Sequence, residues 1–232
     1  MIGYATPRTL IARFNIEAAM EWLWNPNGRT PREFALSWAV REKIRDPEKF
    51  ADWADLMGPV EWAIYGSEWP SGEKRKAQPS VATLLAKAEL PEFGAFRFGV
   101  FGSPWGDIQP SAPLQANALA TERGVKLARE LGLQEFIQES LVIQGYANSL
   151  TALWELKQLV TKDGIAPDKR ATAREQFARY DRALEQALKA LREWGNAMQL
   201  GSGRIGRAQS AIETLQAMSE QMKETSAKLG VK

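Results

Sequence analysis

Apolar residues recur three and four positions apart through most of the chain, the spacing that lines them up on one face of an α-helix. Ile11, Phe14, Ala18 and Trp22 form the first such stripe. Thr6 is placed to cap this helix, and Pro7 occupies its first position, where a missing N–H costs nothing. The helix is predicted to end near Trp24, because Asn25 precedes Pro26 and is pushed out of the α region, while Asn27-Gly28 supplies a turn. Thr30-Pro31-Arg32-Glu33 has the form of a capping box, and Phe34, Ala35 and Trp38 make the apolar face that follows. Asp46-Pro47 opens a third helix carrying Phe50, Trp53, Ala54 and Met57; Gly58-Pro59 predicts its break, with VEWAIY resuming for a turn or two before Gly66.

Periodicity then fades. GSEWPSGEKRKAQP has the Gly, Pro, Ser and charge content of a surface loop, and Ser80 can cap a short helix, VATLLAKAEL. PEFGAFRFGVFGSPWGDIQPSAP reads as an irregular loop anchored by aromatic residues, in which the alternation of Phe96, Phe98 and Val100 leaves room for a short strand. From Leu114 the pattern becomes that of long helices. One reaches about Leu131 with Gly132 as its cap, and another spans roughly Gln134 to Thr161 and stops at Asp163-Gly164. Phe177, Leu184, Leu191 and Met198 are spaced by seven, with Tyr180, Ala187 and Trp194 between them. After Gly201-Ser202-Gly203 the repeat returns as Ala208, Leu215, Met222 and Leu229, with Ala211 and Met218 between, which argues for an antiparallel hairpin. The fold class expected is all-α: short helices at the N-terminus, then a bundle of long antiparallel helices ending in a helical hairpin. Its segments are residues 1–66, 67–113 and 114–232.

Composition narrows the function classes. A hydrophobic fraction of 44% and a charged fraction of 25% over 232 residues are those of an ordinary globular chain. The 30 basic and 28 acidic residues nearly cancel, so no field suited to nucleic acid arises. The first residues lack a secretory signal's basic and apolar regions, and no apolar run approaches the ~20 residues that span a bilayer. A soluble chain is expected, with no membrane partner and an undetermined compartment. Absence of cysteine and histidine removes thiolate nucleophiles, the commonest general base and the commonest transition-metal ligands. Neither a cofactor nor a metal is expected.

Candidate chemistry is sparse. Asp52, Asp55 and Glu61 are the densest acidic cluster near tryptophans, and paired carboxylates can act as general acid and base. Asp52 and Asp55 fall opposite the Phe50, Trp53 and Met57 face, which favours plain solvent exposure, so no catalytic residue is assigned. Nine tryptophans could line a glycan cleft. Trp22, Trp38, Trp53 and Trp154 all lie on apolar helix faces and are read as core, whereas Trp69 and Trp105, in loops, are the candidates for contact with a ligand or neighbouring domain. GSGRIG at 201–206 lacks the strand and Lys-Ser/Thr ending of a phosphate loop and reads as a helix connection; EKRK at 73–76 reads as solvated loop.

The run FNIEAAMEWLWNPNGRTPREFALSWAVR resembles the end of the catalytic barrel in bacterial β-N-acetylhexosaminidase and O-GlcNAc hydrolase-like glycosidases. Trp24-Asn25-Pro26 matches the close of the last barrel helix in that family. Pro31, Glu33, Phe34, Ala35 and Trp38 match the helix that opens its C-terminal helical domain. The likeness covers about residues 8 to 57. It implies a non-catalytic helical accessory domain supporting a barrel that hydrolyses N-acetylglucosaminide-type linkages, because the acidic residues of the family lie on barrel strands with no counterpart here. The implied partner is that barrel, with a glycan as a further ligand. An alternative is a stand-alone helical scaffold that forms homo-oligomers through its coiled-coil-like C-terminal helices.

Overall fold

The computed structural model describes residues 10–65, 111–161, 163–197 and 202–231. Thr6, Pro7, the loop and short helix expected between 66 and 90, the aromatic loop with its Phe96, Phe98 and Val100, and Met198 lie outside these residues, as do the side chains of Ala208 and Ala211. Seven α-helices dominate the described residues: α1 Leu10–Trp24, α2 Pro31–Arg41, α3 Pro47–Tyr65, α4 Ser111–Leu131, α5 Gln134–Leu159, α6 Arg170–Ala197 and α7 Ser202–Lys228. The fold is all-α, as the periodicity requires.

Local signals set most of the ends. Thr30 accepts a hydrogen bond from the Glu33 N–H while Glu33 accepts from the Thr30 N–H at 2.8 Å, so the capping box of α2 is complete. Asp46 caps α3 by accepting from the Lys49 N–H at 3.0 Å. Gly132 closes α4 with φ +71°, a backbone conformation that an L side chain resists. The helix α2 closes differently: Lys43 takes φ 56° and the Ile44 N–H reaches back to the Ala39 carbonyl at 2.9 Å, a left-handed cap built on a residue with a Cβ.

Three expectations need correction. The helix α3 does not break at Gly58-Pro59 but continues to Tyr65. Both residues lie on its exposed side, so the ring meets solvent and not packed atoms, while Met57 and Val60 are anchored in the core on either side of it. Likewise, α4 starts at Ser111, three residues ahead of Leu114, with Pro113 in its first turn, where the absent N–H would be unpaired anyway. Finally, α5 stops at Leu159; Val160–Thr161 pairs antiparallel with Gly164–Ile165 in a two-residue ladder. Gly164, at φ +96°, lets the chain reverse there, and Val160 and Ile165 bury their side chains beneath the turn.

The helix α5 is the axis of the molecule. Phe136, Val142, Ile143, Tyr146, Ala147, Leu150, Ala152, Leu153 and Leu156 are all buried, so apolar residues surround it and it is covered from several sides. It packs against α3, α4 and α6, and α1 touches it too. Where α5 crosses α6, a Cβ on Gly145 would lie 2.7 Å from the Ala183 carbonyl oxygen and 2.7 Å from the Ala187 Cβ. The two backbones are that close. Ser219 on α7 meets Asp181 on α6, and Arg174 near the start of α6 donates to the Val231 carbonyl just past the end of α7, so the last two helices run antiparallel. One continuous core runs from Ile11 to Val231.

Candidate functional site

Five aromatic residues of the first three helices gather into one cluster with Phe136 of α5. Phe14, Phe34, Trp38, Phe50, Trp53 and Phe136 are linked ring to ring at centroid separations of 4.8 to 5.9 Å. Every polar tip is satisfied: Trp38 donates to Glu17 at 3.1 Å, Trp53 to Ser140 at 2.9 Å and Trp22 to the Arg29 carbonyl at 3.1 Å. Trp38 and Trp53 are buried, and Trp22 and Trp154 are half-buried against the same core. These four rings are structural, as their helical positions imply. Trp69 and Trp105 lie outside the described residues.

Asp52 and Asp55 are neutralised at the surface. The Arg32 guanidinium, at the start of α2, donates to Asp52 at 2.8 Å, Asp55 at 3.0 Å and Glu48 at 2.8 Å. All four side chains are at least 40% exposed. A guanidinium that stays protonated holds these carboxylates as acceptors, which suits a clamp between α2 and α3 better than proton transfer. Sequence reading missed Arg32, although Glu48, Asp52 and Asp55 at successive turns of one face were a signal that a cation sits opposite them.

Glu61, the third member of that acidic cluster, has a different environment. It sits one residue past the buried Val60, and although the residue as a whole is half-buried, its Oε1 is shut off from solvent with no hydrogen-bond partner among the described residues. Burial, reinforced by the Glu139 carboxylate on α5, pushes its pKa up to about 8. Glu139 also bears on Tyr146, two turns along α5, whose phenol is raised by burial first and by that charge second. Glu61 on α3 and Tyr146 on α5 therefore both feel the charge of the half-buried Glu139. At neutral pH a protonated carboxyl beside a second acidic group can donate a proton to an acceptor brought between them. Glu139 carried no sequence signal of its own: it stands between Gln138 and Ser140, both buried, on a helix that encloses several polar residues along with its apolar ones.

The expected connection at 201–206 is corrected in part: Ser202 to Gly206 already form the first turns of α7, and Gly201 lies outside the described residues. Among the described residues no group of three or more acidic or other ligating side chains is placed to hold a metal ion, and no helix is long and apolar enough to cross a membrane. Leu184 is fully enclosed by its own chain and Leu191 packs on the same core, so the heptad positions of α6 are occupied intramolecularly. No family model matches the chain, and no curated protein or solved structure matches it.

Proposed function

We propose that the chain is a non-catalytic helical accessory domain that packs, through the outer face of α1, against the catalytic barrel of a glycoside hydrolase acting on N-acetylglucosaminide-type linkages. The observation that carries this reading is the two-faced character of α1. Ile11, Phe14, Ala18 and Trp22 pack inward. About half a helical turn away, at roughly 100° per residue, Met20, Leu23 and Trp24 point outward and are 60%, 73% and 92% exposed. A helix apolar on both sides is built to be covered on both sides. The last helix of a barrel that also adjoins a following helical domain has that requirement, and α1 is the helix that resembles it. The Trp24-Asn25-Pro26 corner and the capping box of α2 supply the same order of elements.

Two measurements test the reading. The nucleotide sequence ahead of the Met1 codon is expected to encode, in frame, alternating strands and helices with an acidic pair at a strand end; an in-frame stop immediately upstream overturns the proposal. Purified chain is expected to leave a chromogenic N-acetyl-β-glucosaminide untouched, and turnover by homogeneous protein that disappears in Glu61→Gln overturns the non-catalytic assignment.

A further inference from the structure

A hinge and a buried acid lie within one turn of each other on α3. Pro59 has no N–H, so the Asp55 carbonyl loses its donor four residues on, and the ladder of α3 is interrupted there. Gly58 beside it is exposed, and a Cβ built on it would meet nothing within 4 Å. Two weaknesses of the helix thus coincide: a missing backbone bond at Pro59 and, next to it, a glycine, which favours the helix less than any residue but proline. Beyond that point the described side chains that seat the helix on the core are Val60, which is 3% exposed, and Glu61.

Glu61 is an unusual anchor. Its Oε1 is enclosed and unpartnered. The groups around it can be placed from the packing of α3. Lys49 pairs with Glu130 at 2.9 Å, and Met57 lies against Gly124, so α3 and α4 run antiparallel. One turn beyond Met57, Glu61 is opposite the stretch 115–121, QANALAT, which carries no ionisable side chain. From α5 the Glu139 carboxylate bears on Glu61. Arg32 on α2 is engaged with Glu48, Asp52 and Asp55, on another face of α3. Among these described elements, α4 and α5 therefore offer Glu61 an uncharged wall and a second acid.

A neutral carboxyl tolerates such a seat, whereas a carboxylate there is both desolvated and repelled. We propose that the end of α3 from Gly58-Pro59 onward is a proton-gated segment: it is seated on α4 and α5 while Glu61 holds its proton, and it swings out about the Pro59 interruption as that proton is lost. Release exposes the stretch of α4 and α5 beneath Val60 and Glu61. The segment is thereby a means of uncovering one side of the bundle as pH rises.

The direction follows from linkage. Seated, Glu61 titrates near 8; released into water, it returns to its ordinary value near 4.5. Between those values the seated form binds more protons, so the ratio of seated to released falls by up to about tenfold per pH unit and levels off above the upper value.

Hydrogen–deuterium exchange on the full chain, with protection factors corrected for intrinsic chemical exchange, reads this ratio. Protection over residues 58–65 is expected to fall up to about tenfold per pH unit through that window while residues 47–57 keep theirs. In Glu61→Gln the fall is expected to vanish. In Glu139→Gln it is expected to persist but to level off at a lower pH, because burial remains while one source of repulsion is gone. The proposal is overturned by unchanged protection at 58–65 across the window, by a loss shared equally by all of α3, or by a pH dependence that is the same in wild type and Glu61→Gln. If Glu61→Gln does not fold, an unshifted profile in Glu139→Gln overturns it as well.

Discussion

Trp53 on α3 donates its indole N–H to the Ser140 hydroxyl on α5 at 2.9 Å, inside the core and across 87 residues of sequence. Removing the acceptor leaves a buried donor without water or protein to receive it. Ser140→Ala is therefore expected to lower stability by about 1–3 kcal/mol in urea denaturation, far more than the loss of one hydroxyl from the surface. The same substitution in a Trp53→Phe background should cost less, since the orphaned donor is already gone. Equal costs in both backgrounds would show that the bond contributes nothing.

Two glycines on crowded helix faces are expected to respond differently to alanine. At Gly145 the new methyl meets the Ala183 carbonyl oxygen and the Ala187 Cβ, atoms that move only if α5 and α6 separate. At Gly124 it meets Met57 Sδ and Cγ, which belong to a flexible side chain. Gly145→Ala is expected to cost about 1–3 kcal/mol by the overpacking route, and Gly124→Ala clearly less, in parallel thermal melts. A reversed order would mean that the α5–α6 crossing is looser than the geometry describes.

Lys43 holds a left-handed backbone conformation that glycine adopts without steric penalty. Relief of roughly 1–2 kcal/mol of strain, less glycine's entropy cost of about 0.5–1 kcal/mol, predicts that Lys43→Gly stabilises by up to about 1.5 kcal/mol. Chemical denaturation of the pair of proteins measures it. A loss of stability would place the value of Lys43 in its side chain.

The capping box gives the acid limb of stability a definite sign. The Thr30 N–H and hydroxyl hold the Glu33 carboxyl below its ordinary pKa, the N–H making the larger contribution. A depressed carboxylate contributes stability above its unfolded pKa and loses it as pH falls through the folded value. Glu33→Gln should accordingly lower the melting temperature at neutral pH and narrow the gap to wild type under strongly acidic conditions. A gap independent of pH would mean that charge plays no part in the cap.

Much of this architecture was legible because helix periodicity and capping are local. Thr30, Glu33, Asp46 and Gly132 mark ends that follow from a few neighbouring residues. Pro59 misled for the opposite reason: whether a proline ends a helix depends on what packs around it, and here Met57 and Val60 hold the helix in place from either side. The same limit governs the acidic cluster. Asp52, Asp55 and Glu61 look alike as a string, yet the first two face Arg32 and solvent while the third faces α5. Glu139, nearly eighty residues further along the chain, was beyond the reach of spacing arguments.

The bond between Trp53 and Ser140 also sets an order of events during synthesis. At about 5–20 residues per second, the 87 residues between them take roughly 4–17 s to emerge. Throughout that interval Phe50 and Trp53 have left the ribosome while Phe136, the α5 ring that packs on both, has not. The growing chain thus carries aromatic rings that lack their last partner, a target for holding chaperones and a hazard at high expression, until α5 arrives.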